Sequence, residues 1–116
     1  GNQQNERFYQ SNFGSRVNIV APGNDILSTH IRDNYRLLSG TSMAAPHVSA
    51  YFAILKYLQP DLTHAQLKDY LRSGNLTKDI GNPGKDDFYG YGLMNMEKVL
   101  QMFRMVSQVI CLITAL

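Results

Sequence analysis

The 116-residue chain holds a single cysteine, Cys111, no tryptophan and only four prolines. One thiol excludes an intrachain disulfide and a cysteine-rich metal cluster, so packing alone must hold a domain of this size. Charge is sparse as well. Charged residues make up 17% of the chain, and the net charge of +2 is too small and too scattered for the basic stripe that nucleic-acid binding needs. No apolar run reaches the roughly 20 residues of a membrane-spanning helix. The nearest, from Met105 to Leu116, contains Ser107, Gln108 and Thr114 and follows Arg104, so it reads as an amphipathic extension of the last helix. Gly1 is followed by no basic-then-apolar leader, as expected of a processed product or of a piece of a longer protein. What is present is a globular composition, 44% apolar, of a length that accommodates one domain at most.

The polar stretch from Gly1 to Asn12 reads as a loop, with Phe8 and Tyr9 its only bulky apolar residues. Val17, Ile19 and Val20 form a β-branched run stopped by Ala21-Pro22-Gly23, the pattern of a short strand buried on both faces, and at least one of its edges is expected to lack a neighbour. Ile26 to Ser28 and Tyr35 to Leu38 are placed to pair as a hairpin around a polar loop from His30 to Asn34. From Thr41 the apolar period becomes helical through Ala44, Ala45, Val48, Tyr51, Phe52, Leu55 and Leu58. Pro46 belongs in a first turn, which puts the helix start just before it, and Pro60 ends the helix. Thr63 and Gln66 form a capping box for a second helix running to Gly74. Lys78 to Asp87 reads as a Gly/Pro/Asp loop, and Phe88 to Met94 alternates aromatic residues and glycine. Asn95 then caps a third helix whose stripe is Val99, Met102, Phe103, Val106, Val109, Ile110 and Ile113.

The chemistry centres on Gly40-Thr41-Ser42-Met43-Ala44-Ala45-Pro46-His47-Val48-Ser49-Ala50. A serine at the entry to a helix sits among unpaired backbone N–H groups at the positive end of the helix dipole, where negative charge developing on a bound carbonyl is stabilised. On position alone, Thr41 or Ser42 reads more readily as an N-cap. His47 lies five residues on, rotated by about 140° and displaced by about 7.5 Å along a helix, too far to take the Ser42 proton; it reads as a packing histidine. His30 and His64 read as solvated, and Asp25, Asp33 and Asp61 as turn aspartates. Asp86 and Asp87 read as a solvated turn in preference to a cation site.

The eleven-residue run resembles, position for position, the signature around the nucleophilic serine of the subtilisin-like serine peptidases. Flanking segments agree: Val17 to Gly23 looks like the strand before the active-site region, Pro60 to Ser73 like the family's helix-turn-helix, and Tyr89 to Asn95 like its closing strand and helix start. The resemblance covers residues 8 to 103. It implies an α/β fold with a mostly parallel sheet flanked by helices in three layers, of which residues 1–104 are an incomplete C-terminal part and 105–116 an apolar extension. It also implies serine endopeptidase activity with Ser42 as nucleophile, Gly40, Thr41 and Ser42 shaping the oxyanion and nucleophile loop, and Leu38, Ser39, Gly40 and Met43 forming the substrate-binding edge.

The family's acid and base precede the serine, yet no Asp-Gly or His-Gly-Thr motif precedes Ser42 in this chain. The chain alone is therefore expected to be inactive, with catalysis belonging to a longer protein whose preceding part is the partner this chain needs. The alternative is a non-catalytic remnant or interaction module of the same origin. The implied substrate is a protein or peptide, and family habit places such enzymes outside the cell or in vesicles and vacuoles. The resemblance allows structural calcium in the complete domain. Asn18 stands where some relatives carry an acidic cation ligand, and no metal or cofactor is assigned to this chain.

Overall fold

A computed structural model describes residues 6–104. The order of elements is β1 (Ile26–His30), β2 (Asn34–Leu38), α1 (Thr41–Leu58), α2 (His64–Arg72), β3 (Thr77–Lys78), β4 (Leu93–Met94) and a third helix, α3, over 96–104. None of these helices is long and apolar enough to cross a membrane.

The architecture mixes helices and strands, but the mostly parallel sheet is not what these residues form. β1 pairs antiparallel with β2, Ile26 opposite Leu38 and His30 opposite Asn34, and β3 pairs antiparallel with β4. Among the described residues, parallel pairing is confined to one bridge between Val20 and Leu93. There Tyr91 N–H donates to the Asn18 carbonyl, Val20 N–H to Gly92 and Met94 N–H to Val20, all on one edge of the 18–20 segment. A parallel sheet needs several strands joined by crossovers, and this stretch contributes a single such contact. The strand from Val17 to Ala21 is accordingly shorter than expected and not buried on both faces. Ala21 is buried, whereas Val17, Ile19 and Val20 are half-buried because they line an open cavity.

The expected hairpin forms, but both strands run further than Ile26 to Ser28 and Tyr35 to Leu38, so its connection shrinks to three residues, with Arg32 and Asp33 at φ of 60° and 53°. His30, expected in solvent, is half-buried at the end of β1, while His64 is exposed. The closing strand that the resemblance implies within Tyr89 to Asn95 is reduced to β4, because Gly90 and Gly92 take positive φ. At Gly92 (φ 108°) a side chain would lie 2.2 Å from the Lys78 carbonyl oxygen, so only glycine lets β4 reach β3.

Both cap assignments hold. Thr63 Oγ1 accepts from Gln66 N–H at 3.2 Å while Thr63 N–H donates to Gln66 Oε1 at 2.9 Å, and Asn95 Oδ1 accepts from Lys98 N–H at 3.1 Å. α2 ends at Arg72 with Ser73 as its cap, two residues before the expected Gly74 stop. Val99, Met102 and Phe103 of α3 pack on the core; Val106, Val109, Ile110, Ile113 and the 105–116 extension lie outside the described residues.

The core gathers Tyr51 and Leu55 from α1, Leu71 from α2, Leu76 and Val99. Tyr51 spans it, its hydroxyl donating to the Leu76 carbonyl and, at 3.3 Å, to the Asn95 carbonyl. Burial pushes this phenol up to about 12, against the lowering effect of the Asn95 contact. Tyr51→Phe would take this donor from the Asn95 carbonyl and leave the Leu76 carbonyl with the Asn95 N–H alone, and a loss of about 1–3 kcal/mol is expected in urea denaturation of the complete protein.

Asp86 organises the loop before β4. Its Oδ1 accepts from Phe88 N–H at 2.8 Å and Tyr89 N–H at 2.7 Å, and its Oδ2 from Asn82 N–H at 3.1 Å. The Tyr89 amide is the main cause holding this carboxyl below its ordinary 3.8, with partial desolvation opposing and the Phe88 and Asn82 amides assisting. A depressed folded-state value means the stabilisation is present above about pH 4 and is lost as pH falls through that depressed value. Amide exchange at Phe88 and Tyr89, corrected for intrinsic rates, should lose protection on acidification, and Asp86→Ala should abolish that dependence.

Candidate active site

α1 starts at Thr41, so Pro46 is its sixth residue and not in its first turn as the proline rule suggested. Proline lacks the N–H that would reach the carbonyl four residues back, and its ring crowds that position. The residue four back is Ser42. The break in the helical ladder thus falls on the carbonyl of the serine itself, and the first turn tolerates it because tertiary contacts hold Gly40.

Gly40 is the N-cap, at φ 153° and ψ 168°, and no side chain caps the helix. Its carbonyl accepts from Met43 N–H at 3.1 Å and Ala44 N–H at 3.3 Å, which leaves the N–H groups of Thr41 and Ser42 without intrahelical acceptors. The capping role open to Thr41 or Ser42 on sequence is therefore not used. Ser42 is exposed, and its hydroxyl forms no hydrogen bond with another described residue.

Two cavities flank this turn. On one side Leu38, Ser42 and Met43 converge with Ile26, Arg36 and His47 on a groove of about 490 Å³ between the hairpin and α1. On the other, Gly40 and Thr41 border a cavity of about 460 Å³ whose wall includes Val20, Ala21, Val48 and Phe88. Arg7 marks the rim of this second cavity, its guanidinium 5.6 Å from the Phe13 ring centre and 5.4 Å from that of Phe88.

Ser39 lines neither space. Its hydroxyl accepts from Asp25 N–H at 2.8 Å and donates to Asp25 Oδ1 at 3.3 Å, while Asn24 Nδ2 donates to Asp25 Oδ2 at 3.0 Å. Beside this latch, Gly40 N–H donates to the Gly23 carbonyl at 2.7 Å. Gly23 and Asp25 thus fasten the 23–25 turn to the residues just before Ser42, a role that reading them as turn residues missed. The one available signal was Ala-Pro-Gly followed by Asn-Asp, since Asp tolerates the φ of 51° that Asp25 adopts.

His47 is half-buried, and its Nδ1 lies 2.8 Å from the Met43 carbonyl oxygen. A carbonyl only accepts, so Nδ1 carries the proton and the ring is anchored to its own helix. This agrees with the packing role, the ring being tied to its own helix through Met43. All three oxygen contacts of Asp86 are backbone amides of its own loop, which accounts for the Asp86-Asp87 pair as turn structure.

An exposed serine thus stands on the first turn of a long helix, with amides free of intrahelical acceptors around it and a groove alongside. Residues 2–92 match the model of the Subtilase family, Peptidase_S8, and the chain belongs to that family of serine proteases. It is 40% identical over 93 residues to the Minor extracellular protease Epr of Bacillus subtilis (strain 168), a match covering 80% of this chain and 14% of that protein. Subtilisin Savinase of Lederbergia lenta is 37% identical over 95 residues, covering 82% of this chain and 34% of that protein. Among solved structures, the Clostridium perfringens CspB protease superposes with a TM-score of 0.62 at 33% identity, over 74% of this chain and 20% of that one. The chain thus spans between about a seventh and a third of the length of these relatives.

Proposed function

We propose that this chain is the nucleophile-bearing, C-terminal part of a serine endopeptidase domain, with hydrolysis performed by the complete protein through an acyl-enzyme on Ser42. The observation that supports this best is the freedom of Ser42: Gly40 takes the N-cap position, so the serine hydroxyl and the first-turn amides are both available. In this reading the Ser42 oxygen attacks the scissile carbonyl, and the Ser42 N–H, with Gly40 and Thr41 shaping the loop, stabilises the oxyanion. Of the proposed substrate-binding edge, Leu38 and Met43 border the bound peptide in the groove, Met43 on the leaving-group side, while Ser39 and Gly40 hold the edge in place through Asp25 and Gly23. The acid and base come from the part of the domain that precedes this chain, and with it the mostly parallel sheet closes between helix layers against the 18–20 edge. Alone, the chain is inactive.

The substrate is a protein or peptide; the partner is the preceding part of the same domain, with neither nucleic acid nor a membrane span involved. Secretion, or a vesicular or vacuolar lumen, is the proposed location, supported by the name of the extracellular Bacillus subtilis relative. No cofactor is assigned to this chain, and any structural calcium belongs to the complete domain. The experiment is labelling of the complete protein with a fluorophosphonate. Modification at Ser42 that Ser42→Ala abolishes supports the reading, and a complete protein that folds yet resists labelling favours the non-catalytic module instead.

A further inference from the structure

We infer that Arg36 makes the groove beside Ser42 a subsite for acidic side chains, so that the complete protein prefers peptide substrates carrying aspartate or glutamate where the chain crosses that groove. The inference rests on the reading of Ser42 as a protease nucleophile.

Strand alternation puts Arg36 and Leu38 on one face of β2, opposite Ser28 and Ile26 of β1, and all four line the groove. The facing wall is α1, through Ser42, Met43, Pro46 and His47. Within this lining Arg36 is the one residue with a permanent charge, and no carboxylate is present. Nearby acids do not neutralise it. Asp25 is engaged by Ser39 and Asn24, Asp33 lies in the hairpin turn, and the salt bridge among the described residues joins Arg72 to Asp69. His47 commits Nδ1 to the Met43 carbonyl. The groove therefore offers an unpaired guanidinium, with its fork of donors, above an apolar floor of Ile26, Leu38 and Met43. That combination fits a side chain with a short methylene stem and a carboxylate end. A lysine in the same place would meet like charge, which acts against the wrong substrate as strongly as the attraction acts for the right one.

The test is a set of internally quenched peptides cleaved by the complete protein, with glutamate, glutamine or lysine placed in turn at each of the three positions on either side of the cleaved bond. At the groove position, kcat/KM should be about 5-fold higher for glutamate than for glutamine. The gap to lysine should be wider, and added salt should narrow both differences. Arg36→Gln should remove the preference and Arg36→Glu should invert it, each read as the ratio between peptides cleaved by the same variant. Equal cleavage of the glutamate and lysine peptides at every position, or a glutamate preference that survives Arg36→Glu, overturns the subsite while labelling still supports the nucleophile. Absence of both labelling and cleavage removes the protease reading, and the subsite with it.

Discussion

Ser42→Ala in the complete protein is expected to lower kcat on a peptide substrate by about a million-fold, with KM little changed and with the melting temperature within a degree or two of the parent. That magnitude is known from this family's own triad and is not a deduction from the present geometry. What the geometry adds is the expected split between the parameters. The Ser42 side chain is exposed and makes no hydrogen bond with another described residue, so its removal costs the fold little. The groove wall of Leu38, Met43 and Arg36 remains intact, so substrate binding persists. The first-turn amides also remain, because Gly40 and not Ser42 caps α1. A residual rate well above that of the uncatalysed reaction should therefore survive. A variant retaining more than a few per cent of the parent rate would show that the nucleophile lies elsewhere.

How much of the site is legible in the sequence depends on the range of each interaction. The eleven residues from Gly40 to Ala50 are contiguous, and contiguity carries the helix start and the family together. Local signals were equally legible: the Thr63–Gln66 box and the Asn95 cap each need only a polar side chain three residues from an amide, and both formed. The hairpin is legible because its two short apolar-bearing runs lie a few residues apart around a polar stretch. Elements that depend on a distant backbone are not. β3 is two residues long and carries no periodicity; it exists because Gly92 brings β4 against Lys78. Pro46 was placed by a rule for isolated helices, and tertiary contacts at Gly40 overrode it. Arg36 reads as an ordinary polar strand residue until the hairpin is packed beside α1.

Gly23→Ala should be the most damaging substitution outside the catalytic group itself, lowering kcat by about 100-fold in the complete protein, on the scale that a displacement near 1 Å imposes on an oriented reaction. Gly23 is buried against the turn that carries Ser42. A methyl group there would lie 2.8 Å from the Gly40 carbonyl oxygen and 3.1 Å from Ala44 Cβ. Neither neighbour yields cheaply. The Gly40 oxygen is backbone and already accepts the Met43 and Ala44 amides, and Ala44 is fixed in the helix. The turn cannot simply swing away either, since Gly40 N–H is tied to the Gly23 carbonyl and Ser39 to Asp25. The strain is relieved instead by lifting the N-terminus of α1, which tilts the Ser42 hydroxyl and its amide together. Tyr51→Phe is the comparison that separates this from general destabilisation: it weakens the same helix at its core contact but leaves the first turn in place. At a temperature where both variants are folded, Tyr51→Phe should keep kcat within about 2-fold of the parent, as a substitution away from the oriented groups should. Gly23→Ala should lose kcat and labelling rate in parallel. Equal kcat in the two variants would mean that the Gly23–Gly40 contact supports the fold without orienting the nucleophile.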